Sequence, residues 1–256
     1  GGDRQAALIA LSAAMASIIL FAVAAWRFGI PTSESHALIA ALSGAALALG
    51  NLGGINRGAW GKVLAGLGIS IACGYLLGWL PARLLAAPLK RLGDETLSRM
   101  QVLAAAGMAF MHGAQDGQKF IGIFLLGSVL SGVTQESSTV PLWIMVICAV
   151  VMGLGTALGG KKIIESVGEN MVSLHKSQGF GSDLGAAAAL FILTLMGIPV
   201  STTHTKTTAI MGAGFMGEKA KINKKIIASM FLAWVITFPF CGGIAFIITK
   251  IAIRFL

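Results

Sequence analysis

The sequence predicts an all-α, polytopic membrane protein that contains inverted repeats and two re-entrant helical hairpins. Composition is the first reason: 56% of the residues are hydrophobic, 11% are charged, and the mean hydropathy is +0.84. A soluble domain of this length has too little interior to bury so much apolar surface, so lipid is the expected solvent. The second reason is that residues 5–26 and 226–249 carry no charge. The third is a motif that occurs twice.

The apolar runs predict six membrane helices. At about 1.5 Å of rise per residue, such a run can cross a hydrocarbon core of about 30 Å. The predicted bounds are approximately 5–28, 61–82, 100–130, 140–159, 180–197 and 226–250, with a polar break near residue 116 in the third helix. Residues 160–178 are amphipathic and predict a surface helix on the cytoplasmic side. The carboxylates of the polar connectors are expected to be solvated: Asp94, Glu95, Glu165, Glu169 and Asp183.

The net charge of +9 does not indicate a nucleic-acid partner. The basic residues cluster in short connectors at 83–99, 161–176 and 219–225, and this is the distribution found in cytoplasmic loops of membrane proteins. We therefore expect a multi-pass protein of the cell (plasma) membrane whose partner is the lipid bilayer. The three cysteines lie far apart in apolar runs, so neither a disulfide framework nor a metal site is predicted. No cofactor is expected.

The repeated motif is Gly29-Ile-Pro-Thr-Ser-Glu-Ser-His36, which returns 168 residues later as Gly197-Ile-Pro-Val-Ser-Thr-Thr-His204. A matching glycine follows each copy at the same offset, Gly44 and Gly212. Gly-Ile-Pro resists continuation of a helix, and small and apolar residues then restart it. The pattern predicts re-entrant hairpins at about 29–55 and 197–217. Paired interruptions of this kind in two halves of a membrane protein are typical of a transporter's binding site.

The motif also predicts how the chain is divided. Residues 1–99 are interpreted as the remainder of a first inverted repeat plus a cytoplasmic linker, and residues 100–256 as the second repeat. If the repeat extends that far, the counterpart of Asp116 lies upstream of Gly1. We therefore expect the first repeat to be incomplete in this chain, and a first aspartate motif to precede it.

Each copy of the motif carries the residues of an anion site. Proline followed by Ser or Thr ahead of an apolar run is a helix-start signal. A helix N-terminus offers unpaired backbone N–H groups and about half a positive charge, so it attracts anions without a buried Arg or Lys. The hydroxyls that would add donors are Ser33, Ser35, Ser201, Thr202 and Thr203. The alternative is that these hydroxyls only cap two helices.

Asp116 is the second candidate. A carboxylate in the middle of an apolar segment costs roughly 2.5–3.5 kcal/mol on insertion scales, so it indicates function. Gly113 and Gly117 would allow an unwound backbone whose carbonyls join the carboxylate around Na⁺, or the carboxylate could carry a proton. The alternative is a salt bridge with Lys119. His112 could donate to an anion or pack in the core.

Glu34 lies beside the first predicted anion site. Its carboxylate would repel the ligand unless it is protonated or neutralised by a bound cation. Either condition would couple anion binding to H⁺ or Na⁺. The alternative is a carboxylate that only satisfies N–H groups at a helix start. Near the second copy, Lys206 could offset charge.

Both motif copies, together with His112-Gly-Ala-Gln-Asp-Gly-Gln-Lys119, resemble the signatures of the inorganic phosphate transporter (PiT) family. The resemblance runs from residue 5 to about residue 250. It implies a secondary transporter, not an enzyme, that moves phosphate by symport with Na⁺ or H⁺. By position, it implies that the anion is held by Ser33, Ser35, Ser201, Thr202 and Thr203, with His112 and Gln118 nearby, and that Asp116 serves the coupling cation.

The sequence departs from the family's pattern in several places and leaves other functions open. The helix at 140–159 lacks the glutamate that many members carry there. Gln115 stands where Asn is usual, and Glu34 where Ser or Thr is common. Some members of the family carry sulfate, so a sulfate permease is one alternative. A passive anion channel is another, and an intramembrane hydrolase that uses Ser201 or Ser33 is a third. The sequence also leaves the oligomeric state open, a homodimer included.

Overall fold

The computed structural model describes residues 2–50, 53, 55–135, 139–215 and 222–255. These residues form α-helices joined by short connections, with one π-helical turn at Glu165–Glu169 and one isolated β-bridge, Val172 to Ile222. The α-helices are α1 (Gly2–Arg27), α2 (Glu34–Ala48), α3 (Arg57–Leu89), α4 (Asp94–Leu130), α5 (Leu142–Gly159), α6 (Lys161–Ile164), α7 (Lys176–Leu195), α8 (Thr202–Gly214) and α9 (Lys224–Ile253).

Five of the described helices, α1, α3, α5, α7 and α9, are long and apolar enough to cross a membrane. Many of their large apolar side chains are exposed, among them Leu84, Leu158 and Val235 at 65%, 85% and 68%. In water such exposure would be unfavourable, whereas in lipid it needs no cover. The predicted all-α, polytopic membrane class is confirmed.

The third predicted membrane helix is observed as α4, and the unwound backbone that Gly113 and Gly117 would allow is not formed. Helical backbone continues without interruption from Asp94 to Leu130. A glycine inside a helix costs about 1 kcal/mol relative to Ala without breaking it, and no proline is present here. The polar residues at the centre of α4 make it less apolar than the five helices named above.

The surface helix predicted for residues 160–178 forms only in part. Only α6 and the π-helical turn are helical there before Lys176, where α7 begins four residues ahead of the predicted start. The start of α7 is fixed by Gln178, whose Oε1 accepts a 2.9 Å hydrogen bond from the N–H of His175. The end of the first predicted hairpin, residues 51–55, lies largely outside the described residues. The end of the second, residues 216–217, and the basic residues at 219–221 lie wholly outside them.

The chain divides into two compact units. The first contains residues 1–57, 116–160 and 230–256, and the second contains residues 58–115 and 161–229. In the first unit the core consists of small residues of α1, α2 and α9 around Phe21. In the second unit α4, α7 and α8 contribute a core that includes Met108, Leu190 and Ala209. The predicted division into repeats at residue 99 stays a prediction.

Both motif copies form a broken helix with the same bounds. Helix α1 ends at Arg27 and α2 begins at Glu34, while α7 ends at Leu195 and α8 begins at Thr202. The end of α7 and the start of α8 thus lie 168 residues after the end of α1 and the start of α2, the same separation as between the two motif copies. The helices α1, α2 and α3 therefore follow one another in the same order as α7, α8 and α9: a long helix, a short helix after the break, and a second long helix.

Glycines let the short helices pack closely on a long one. In the first unit a Cβ at Gly44 of α2 would overlap the carbonyl of Gly242 on α9. In the second unit a Cβ at Gly212 of α8 would overlap the carbonyl of Tyr75 on α3. Each unit thus joins a broken helix from one motif copy to the long helix that follows the other copy.

Candidate functional site

The first break in the chain is a Schellman turn, which ends α1. Gly29 has φ of 67°, its N–H donates to the carbonyl of Trp26 at 3.0 Å, and the N–H of Ile30 donates to Ala25 at 3.0 Å. Glycine adopts this left-handed conformation without the penalty that a Cβ brings. The second break repeats these bonds at 3.0 Å, from Gly197 (φ 64°) to Thr194 and from Ile198 to Leu193.

After each break a serine caps the next helix. The Oγ of Ser33 accepts from the N–H of His36 at 3.5 Å, and the Oγ of Ser201 accepts from the N–H of His204 at 3.2 Å. Both serines are buried, at 1% and 2% exposure. The capping that the sequence left open as an alternative is therefore present at both. A hydroxyl that accepts one bond keeps its own proton to donate.

We call residues 33–36 the first tip and residues 201–204 the second tip. Near the first tip, Lys119 joins two of the predicted site residues. Its Nζ donates to Asp116 Oδ1 at 2.5 Å and to Ser35 Oγ at 2.6 Å. The side chains of Asp116 and Lys119 are 4% and 22% exposed. The structure thus places Asp116 in the salt bridge that the sequence offered as the alternative to a cation site.

Three other predicted residues differ in burial. Glu34 is the first residue of α2 and is half-buried, so its carboxylate is placed where the helix dipole favours negative charge. Gln118 is exposed, whereas Asp116 is buried. Residues two apart on a helix do not face each other, so the structure does not bring these two side chains together. His112, in the second unit, is half-buried on α4.

The second tip is held by a residue that the sequence analysis missed. Ser70 of α3 is fully buried, and its Oγ accepts from the N–H of Ser201 at 3.1 Å while donating to the carbonyl of Gly66 at 2.6 Å. A lone serine in an apolar helix is too common to indicate this role. At this tip Thr202 is buried and Thr203 half-buried, in the first turn of α8.

A second lysine–aspartate pair involves Lys206, which lies on α8 one helical turn after Thr202 of the second tip. Lys206 of α8 donates to Asp183 Oδ1 and, at 3.5 Å, to Ser182 Oγ, both on α7. The expectation that Asp183 is solvated is wrong, because α7 begins early enough to carry this residue into the packed face against α8. Asp183 is 9% exposed. The other four connector carboxylates are exposed, as predicted.

Comparison with known proteins agrees with the motifs. A family model described as "Phosphate transporter family" matches residues 3–92 and 82–245. A "Probable low-affinity inorganic phosphate transporter" of Bacillus subtilis (strain 168) is 32% identical over 247 residues, covering 94% of this chain and 74% of that protein. A protein of the same name from Rhizobium meliloti (strain 1021) is 34% identical over 234 residues, covering 89% and 69%. Both are named as transporters, which are not enzymes.

A solved structure described as "The sodium-dependent phosphate transporter" has the same fold. The TM-score is 0.84 at 18% sequence identity, and the alignment covers 97% of this chain and 80% of that chain. At this identity the likeness concerns the fold alone. With the five apolar helices, these matches fit a multi-pass protein of the cell membrane.

Proposed function

We propose that this chain, which belongs to the phosphate transporter family, takes up inorganic phosphate as a secondary active transporter by symport with Na⁺ or H⁺. The names of its relatives support phosphate as the substrate. Sulfate, the alternative oxyanion, has no support among these relatives. A family of transporters also gives no support to the hydrolase hypothesis, and Ser201 Oγ accepts from a backbone N–H in its own helix turn.

The observation that carries the proposal is the duplication of a capped helix N-terminus within a membrane protein. At each tip the backbone N–H groups and the dipole of the short helix favour an oxyanion. We propose that Ser35, Thr202 and Thr203 donate hydroxyl hydrogen bonds to phosphate. In this proposal Ser33 and Ser201 cap the first turn of their helices, and the hydroxyl of each also donates a hydrogen bond to phosphate. The matched breaks support inverted repeats with re-entrant hairpins, in which such tips lie within the bilayer.

The remaining predicted residues are assigned by chemistry. His112 and Gln118 are proposed to donate to the anion from α4. Glu34 is proposed to tie anion binding to the coupling cation, because an uncompensated carboxylate next to phosphate would oppose its binding. Asp116 is proposed to take part in this coupling through its pair with Lys119. No cofactor enters this scheme. Association into a homodimer stays a prediction.

Uptake of radiolabelled phosphate by the full-length protein in proteoliposomes tests the function. We expect phosphate to accumulate above its equilibrium level when a Na⁺ or proton gradient is imposed. Equilibration without accumulation would indicate a passive channel. Absence of uptake under both gradients would contradict the proposal.

Substitution at the second tip tests the anion site. Thr202→Val removes the hydroxyl at nearly constant volume, so we expect the KM for phosphate to rise about tenfold, the worth of one hydrogen bond to a charged group. Thr202→Ser keeps the hydroxyl and serves as the matched control. Equal KM values for the two variants would exclude Thr202 from the anion site.

A further inference from the structure

The position of the Lys119 ammonium bears on which cation can bind at Asp116. Its Nζ lies 2.5 Å from Asp116 Oδ1 and 2.6 Å from Ser35 Oγ. These are oxygens that a Na⁺ at this carboxylate would use as ligands. The lysine already supplies the single positive charge that a buried carboxylate requires.

The backbone of α4 removes a second source of ligands. In transporters with broken helices, carbonyls of unwound segments coordinate Na⁺. Here the helix is continuous through Gly113 and Gly117, so its carbonyls remain directed along the helix axis. A Na⁺ at Asp116 would therefore have to displace the ammonium, and it would place two positive charges beside one carboxylate.

The geometry points to Lys119 as a tethered cation that takes the place of a dissociable Na⁺ at Asp116, so that phosphate uptake does not depend on Na⁺. This inference rests on the proposed function and narrows its coupling ion. The second unit contains the same combination of groups, since Lys206 contacts both a buried aspartate and a serine hydroxyl. Covalently attached ammonium groups therefore neutralise a buried aspartate in both units.

Proteoliposomes that contain the full-length protein provide the test. Uptake of radiolabelled phosphate is measured with Na⁺, K⁺ or choline outside, at one fixed pH gradient and membrane potential. For the unaltered protein we expect initial rates that are the same in the three cations. Lys119→Met keeps the aliphatic stem without the charge, so Asp116 becomes available and Na⁺ should stimulate its uptake about tenfold.

Two controls separate this effect from a general response to lost charge. Lys176→Met removes the lysine of an exposed pair with Asp94, whose Nζ–Oδ2 distance is 3.3 Å, and it should not create a response to Na⁺. The double variant Lys119→Met with Asp116→Asn lacks the carboxylate, so it should also be insensitive to Na⁺. Lys119→Gln, which keeps a donor, replaces Lys119→Met if the latter does not fold.

Thermal unfolding in detergent gives a readout independent of transport. Na⁺, but not K⁺, should raise the Tm of the Lys119 variant and leave that of the unaltered protein unchanged. Uptake by the unaltered protein that requires Na⁺, or a Lys119 variant that ignores Na⁺ in both assays, would overturn the inference. Absence of uptake in every cation would instead contradict the proposed function, and the Tm comparison would still decide the role of Lys119.

Discussion

The two motif copies share a backbone and differ in their charged side chains. Both end one helix with a Schellman turn at glycine and begin the next with a serine cap. The first tip continues with Glu34 and Ser35 and receives Lys119 from α4, whereas the second continues with Thr202 and Thr203. Both copies therefore present a helix N-terminus in the same way, whereas the charged side chains at the two tips differ.

The largest expected effect comes from breaking the buried ion pairs. Asp116→Ala would leave the Lys119 ammonium buried without its carboxylate, and we expect the free energy of unfolding in detergent micelles to fall by about 3 kcal/mol. Asp183→Ala should cost less, because the side chain of Asp183 is 12% exposed and that of Asp116 4%. Denaturant titration of both variants measures the difference.

A double variant isolates the pair from other effects of the substitution. Adding Lys119→Met to Asp116→Ala removes the unpaired charge, so most of the lost stability should return. If the double variant is less stable than Asp116→Ala alone, the unpaired ammonium is not the source of the lost stability. The same cycle with Lys206→Met and Asp183→Ala compares the second unit.

The next effect tests whether the two units pack in the same way. Gly44→Ala and Gly212→Ala would each place a methyl group against a backbone carbonyl of a long helix. Backbone cannot move aside as a side chain can, so we expect each to lose about 2 kcal/mol of unfolding free energy. Gly243→Ala is the control, at a site on α9 where the added Cβ meets no neighbouring element within 4 Å, and it should gain up to about 1 kcal/mol because Ala favours the helix. A large difference between Gly44→Ala and Gly212→Ala would show that the two contacts are not equivalent.

Sequence could predict the broken helices because their signals are local. Gly-Ile-Pro and the following serine act within six residues, and α2 and α8 begin directly after Ser33 and Ser201. The pairing of Lys206 with Asp183 could not be predicted in this way, since the two residues lie 23 positions apart and meet only after α7 and α8 have packed. At Gly113 and Gly117 the sequence allows an unwound segment, which the structure does not contain. Glycine permits unwinding without requiring it, and α4 remains helical.

The smallest expected effect concerns the caps themselves. Ser201→Ala and Ser33→Ala each remove one side-chain acceptor at a helix N-terminus, a loss of about 1 kcal/mol. Ser201 should cost slightly more, because its hydrogen bond to the N–H of His204 is 3.2 Å while the bond of Ser33 to His36 is 3.5 Å. Asn at either position restores an acceptor and should recover most of the stability in thermal unfolding. If recovered stability is not accompanied by recovered phosphate uptake, the substituted serine hydroxyl contacts the anion in addition to capping its helix.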